Sequence, residues 1–305
     1  MTPEQTLEWE AANRLRAAAA AFAAAALTIL GSALIGIGLR GLPKAEDRIL
    51  TVVDTLRLTA AGRTIPPGRL AIQADWLGHH ATLPILGAML FGLGTIALFL
   101  PLAYLFRATL ARRPQLQQIA LVLAAVGAVA FGIGRTLAEI GRYLGAQDFS
   151  SSADRSNSAA ADALGGTGVT VGQVLGQVGM LALGFAFVLI ALNAMRVGLL
   201  TRFLGILGVI VGITFVLPLD QYGILRTFWL GALGLLILGQ WPRGAPKAWA
   251  TGEAEPWPTQ QQLREQREAA RAGAEAAEPP APRPPQPAAG PATAAPRRRK
   301  RKRRS

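Results

Sequence analysis

Residues 172–195 read GQVLGQVGMLALGFAFVLIALNAM, twenty-four positions without a charged side chain, closed by Arg196. A helix rises 1.5 Å per residue, so about 20 apolar residues cover the ~30 Å hydrocarbon core of a bilayer. This run is long enough to cross. A soluble helix would keep a polar face behind its apolar stripe, and here there is none. Nor do apolar and polar residues alternate as they do in the strands of a membrane barrel.

Five further segments share this character: 17–39, 81–106, 119–134, 203–219 and 222–241. The first is longer than the ~7–15-residue apolar core of a cleavable signal peptide. Pro84 lies near the start of its span, where a missing N–H matters least, and Pro101 is expected to kink the far end of the same span. Arg226 is the one charge of the last span and is expected to snorkel to the interface. The fold class read from these runs is all-α, a polytopic transmembrane helix bundle of about six spans occupying 1–242, with outer loops at 40–80 and 135–171. Residues 243–305 read as a disordered Pro/Ala-rich tail that ends in a polybasic run.

Composition agrees with a lipid solvent. Only 16% of the 305 residues are charged, where soluble domains carry roughly 25%. Fourteen basic and six acidic residues lie between Arg243 and Ser305, so this stretch holds +8 of the net charge of +13. Cysteine is absent, which excludes disulfide frameworks, thiolate metal sites and cysteine nucleophiles.

Small residues four apart mark helix contact faces in lipid, where close approach replaces hydrophobic driving force. Gly172/Gly176, Gly208/Gly212, Ala128/Gly132 and Ala130/Gly134 have this spacing. They are expected to pack the chain's own bundle, with a homo-oligomer seam as the alternative.

Orientation follows from Lys and Arg beside the spans, which stay on the cytoplasmic side. The turns at 107–113 and 196–202 are basic and free of acids, but near-membrane cations total nine on that side and ten on the other. The terminal basic run and the short length of the two turns decide for both termini in the cytoplasm. In the loop 40–80, Ile49, Val52, Val53 and Leu56 recur at helical spacing after Pro43, which predicts an interfacial amphipathic helix, with a hairpin around 62–68 as its rival. The Ser/Ala/Asp/Gly-rich stretch 149–168 reads as a flexible loop without a fixed fold.

Charged groups inside a membrane are candidates for function, because each costs at least ~2.5 kcal/mol at the bilayer centre. Arg135, Glu139 and Arg142 form a ladder at the outer end of the third span, and Gln173 and Gln177 are polar residues of the fourth. The ladder could bind an anionic group, although a self-neutralising interfacial pair is the commoner outcome. Asn193, Gln173 and Gln177 are expected to act as hydrogen-bonding glue between helices, with a substrate path as the lesser alternative. Asp75 and His79 would share a helix face, with His80 beside them, but too few ligands exist for a tetrahedral metal site. Asp220 lies in a turn, where Asp is ordinary. No nucleophile elbow, phosphate loop or metalloprotease motif occurs. No catalytic residue, metal or cofactor is expected, and the chain reads as non-enzymatic.

The tail closes with Arg297, Arg298, Arg299, Lys300, Arg301, Lys302, Arg303 and Arg304. Besides marking topology, such a run is attracted to anionic lipid headgroups at ~1 kcal/mol per residue. RNA or ribosome contact is a lesser reading, since no aromatic is interleaved to stack bases. The functional expectation is a membrane protein whose tail contacts anionic lipid; the alternative is a small-molecule transporter, or a subunit of one, using polar groups at the outer helix ends.

The long first outer loop, the six spans and the turn AMRVGLLTRFLG at 194–205 resemble an uncharacterised family of six-helix bacterial integral membrane proteins. The resemblance covers roughly 14–241. It implies the topology and a bacterial plasma membrane, and brings no catalytic residues with it.

Overall fold

In the computed structural model, residues 2–43, 52–63, 67–115, 117–217, 219–242 and 244–258 are described, together with 261–262, 264–265 and 267–270. Among these the fold is all-helical. Thr2 opens α1 (Pro3–Gly38) with a capping box, its side chain accepting from Gln5 while Gln5 returns to the Thr2 backbone. Two short helices follow, α2 (Val52–Ala60) and α3 (Arg69–His79). The second apolar run forms α4 (Thr82–Ala97) and α5 (Phe99–Arg112), separated at Leu98. Pro101 explains the break, since it cannot donate to the carbonyl four residues earlier and its ring crowds that oxygen. Then come α6 (Ile119–Ser151), α7 (Asn157–Leu164), α8 (Thr167–Arg196), α9 (Arg202–Val216), α10 (Ile224–Ile237) and α11 (Ala248–Thr251).

Four of these units are long and apolar enough to cross a membrane: α1, α4 with α5, α6 and α8. α9 and α10 are apolar but shorter, at fifteen and fourteen residues. The bundle is drawn together by glycines. A methyl on Gly172 would lie 2.6 Å from the backbone nitrogen of Ala138, and one on Gly127 2.5 Å from that of Leu183, so α6 and α8 touch backbone to backbone. Gly31 on α1 meets Phe91 of α4 in the same way, and Gly184 and Gly212 face each other between α8 and α9. The small-residue pairs found in the sequence therefore pack this chain against itself.

Three expectations are corrected. α6 does not end at 134 but continues through Ser151, so 135–171 is not a loop. The stretch 149–168 is not without fold: Phe149 is buried in the last turn of α6, Ser156 caps α7 by accepting from Ala159, and Asn157 Oδ1 accepts from the Ala71 N–H of α3. The low apolar content of this stretch hid the fact that alanines suffice where helices lie close, as Ala71, Ala74 and Ala160 do. Third, the first folded unit does not close at 242 but runs to Trp257.

That extension is held by two indoles and a backbone hydrogen bond. Gly198 adopts φ +79 and turns the chain between α8 and α9, and the carbonyls of Val197, Leu199 and Leu200 at this turn accept from the extension. Trp249 Nε1 donates to Leu199, Trp257 Nε1 to Leu200, and the Glu255 N–H to Val197, at 2.8, 2.9 and 3.0 Å. Buried carbonyls need donors, and tryptophan brings one together with a large apolar body.

α2 lies where an amphipathic helix was expected, although Ile49 and residues 64–66 of the rival hairpin are outside the described residues. In the second unit, residues 261–262, 264–265 and 267–270 are helical. Residues 271–305, with the polybasic run, are outside the described residues.

Candidate anion-binding site

The ends of the bundle differ in chemistry. At the end that carries 244–257, which we call the tail end, Arg112 forms a bidentate ion pair with Glu10 at 2.5 and 3.2 Å, and the Arg112 side chain is 0% exposed. Its remaining donors reach the carbonyls of Ala108, Ala248 and Glu253. Trp9, Tyr104 and Trp249 stack beside the pair. Here the buried charges Arg112 and Glu10 are paired with each other. Arg113 donates to Asn193 of α8, which accounts for that half-buried polar residue as interhelical glue.

The opposite end is called here the loop end. α6 carries Arg135, Glu139 and Arg142 on successive turns: Glu139 Oε2 accepts from Arg142 at 2.9 Å and Glu139 Oε1 stands 3.8 Å from Arg135. Because Gly172 and Gly176 let α8 close on this segment, Gln173 and Gln177 come to the same cavity as the ladder, a space of about 430 Å³. All five residues singled out from the sequence thus line one chamber. A neighbouring space of about 280 Å³ shares Arg135, Glu139 and Arg142 and is closed by Tyr143 and by Leu39 and Leu42. Counting along α6 from Ile119, Arg135 lies about 24 Å from the tail end, near the limit of a hydrocarbon core.

The residue that sequence reasoning misplaced is Arg226. It does not snorkel. It is 3% exposed, and its Nε and Nη2 have no hydrogen-bond partner. Its position follows from the turn before it. Gly223 takes φ +70, a conformation that costs glycine nothing. Asp220 then accepts from the backbone N–H groups of Leu225 and Arg226 at 3.3 and 3.1 Å, starting α10. The cap engages Asp220 with backbone, and the guanidinium turns inward between two rings, 4.8 Å from the centre of Phe91 and 5.3 Å from that of Phe215. Arg135 lies 5.5 Å from the centre of the same Phe91 ring. Cation–π contacts contribute up to about 2 kcal/mol each when desolvated, less than the several kcal/mol that burying an unpaired charge costs.

A third, small hollow of about 50 Å³ is lined by Arg226, Arg135, Phe91, Phe131, Phe215 and Asp220, among others. Arg135 and Gln221 border all three spaces. Across them Arg135, Arg142 and Arg226 stand against Glu139 and Asp220, an excess of one positive charge. Its chemistry suits an anion. The only sequence signal for Arg226 was its isolation as the single charge of its span.

On α3, Asp75 is engaged by Arg155 at 2.5 Å, His79 Nδ1 contacts the Asp75 carbonyl oxygen, and His80 stacks on Trp76. Among the described residues no group of three or more His, Asp or Glu could hold a metal ion.

Compared with family models, with curated proteins and with solved structures, the chain matches none.

Proposed function

We propose that this is a non-enzymatic, six-crossing protein of the bacterial plasma membrane that binds a small anionic solute in the chamber at its loop end, as a transporter or transporter subunit. The reading is carried by one observation: Arg135 borders three adjoining spaces whose lining charges are not balanced. α9 and α10 supply the fifth and sixth crossings, both termini lie in the cytoplasm, and the loop end faces outward. The basic turns at 107–113 and 196–202 favour this orientation, since Arg112 and Arg113 join the start of α1 and the end of α8 at the tail end. The resemblance of 194–205 to six-helix bacterial membrane proteins is in keeping with it.

Detergent-solubilised full-length protein would be titrated with succinate, glutamate and inorganic phosphate while its thermal midpoint is followed. At least one should raise the midpoint, and Arg135→Ala should weaken that ligand at least tenfold, as expected from losing a hydrogen bond worth about 1.5–3 kcal/mol. Equal affinity in wild type and variant would remove Arg135, and with it the chamber, from the function.

A second activity rests on the eight consecutive basic residues at 297–304. We propose that they hold anionic headgroups on the cytoplasmic leaflet. Full-length protein in nanodiscs of neutral lipid should attach to phosphatidylglycerol vesicles at low salt, and deletion of 297–304 should lower the attachment by more than tenfold, given ~1 kcal/mol per basic residue. Attachment that survives the deletion, or RNA binding that outcompetes it, would redirect the tail to another partner.

A further inference from the structure

We propose that the hollow beside Arg226 is a binding site for one small monovalent anion of chloride size, held jointly by the Arg226 and Arg135 guanidinium groups. This goes beyond the solute chamber: the two spaces share Arg135, but the anion site has its own cation, its own size limit and its own probe.

A guanidinium carries five N–H donors and no acceptor. No hydrogen bond or ion pair involving the side chain of Arg226 is present among the described residues, although the residue is 3% exposed. Of the nearby acids, Asp220 also lines the hollow but forms no ion pair with Arg226. Asp220 accepts from two backbone N–H groups at the start of α10, and Glu139 is held by Arg142 with Arg135 close by. Phe91 and Phe215 flank the cation without giving it an acceptor atom. Arg135, approaching the same Phe91 ring, adds a second positive charge, so that two guanidinium groups face the single Asp220 carboxylate of the hollow. An anion would relieve both; a water molecule would leave the charge in place.

Size narrows the ligand. About 50 Å³ exceeds the space one water needs, roughly 10–15 Å³ on the same measure. Phosphate esters and amino acids are excluded here and belong in the larger spaces. What remains is a halide, with formate at the upper edge of the size range.

The test uses full-length protein in detergent, compared in sodium chloride, sodium formate and sodium gluconate at equal ionic strength. The thermal midpoint should be several degrees higher in chloride than in gluconate, and chloride-35 resonances should broaden in proportion to protein. Both effects should vanish in Arg226→Gln, weaken in Arg135→Gln, and persist after deletion of 297–304, which removes adventitious binding to the tail. Should Arg226→Gln fail to fold, the Arg135→Gln and deletion arms decide alone. The site is overturned by equal midpoints in chloride and gluconate, by broadening that disappears with the tail, or by protection from formate without protection from chloride. Gln173→Ala separates this site from the chamber, since Gln173 lines the chamber and not the hollow: it should alter solute binding while the chloride response stays.

Discussion

Replacing Glu10 with alanine is expected to destabilise the protein by about 3–5 kcal/mol, the range found when one partner of a buried ion pair is removed. The Arg112 side chain is fully buried, and among the described residues Glu10 is its only anionic partner. Its other acceptors are backbone carbonyls, which orient the guanidinium without neutralising it. Because Arg112 also ties Ala248 and Glu253 to the end of α5, the loss should spread to 244–257 and expose that segment to protease. A double change, Glu10→Gln with Arg112→Met, should cost much less than the sum of the single changes, since it leaves no unpaired charge. The check is the midpoint of unfolding in detergent, with limited proteolysis near Trp249 and Trp257. An Arg112→Met variant as stable as wild type would mean that the pair holds nothing together.

The second large effect concerns the seam between α6 and α8. Gly172→Ala places a methyl 2.6 Å from the Ala138 backbone nitrogen, an atom that cannot rotate away. The helices must part, at a cost of about 1–3 kcal/mol as in other overpacked sites. Gly127→Ala, against the backbone of Leu183, should act alike, and the two together should approach additivity because they are far apart on the seam. Gly36 and Gly231 make the internal control. An added methyl there meets nothing within 4 Å, and alanine is the better helix former by about 1 kcal/mol, so both changes should be neutral or stabilising. Equal losses at all four positions would show that helix contact is not the reason for these glycines.

These cases mark how far the sequence could be read. The uncharged runs and the glycine spacing declare themselves, because lipid leaves no choice about hydropathy or close approach. Grouping Arg135, Glu139 and Arg142 with Gln173 and Gln177 was also within reach, since helical spacing puts each set on its own face and Gly172 and Gly176 supply the contact between them. Three features were not legible. Glu10 lies in a polar segment where an acid looks solvated, and only the fold brings Arg112 to it, 102 residues away. Arg226 was misread because its position depends on where its helix begins. The left-handed Gly223 and the Asp220 cap start α10 so that the guanidinium enters the bundle between two phenylalanines. Likewise Trp249 and Trp257, in a stretch otherwise rich in Pro, Gly and charge, gave no sign that the carbonyls of Leu199 and Leu200 would accept from their indoles.

The short α9 and α10 have a consequence for the bilayer itself. Fifteen and fourteen residues rise about 22 and 21 Å, roughly 8 Å less than a typical hydrocarbon core. In the proposed six-crossing arrangement, lipid beside this hairpin must thin or the hairpin must sink to meet it. Acyl-chain length thereby becomes a physical input to the protein, pressing on the very turn that carries Asp220 and Gly223.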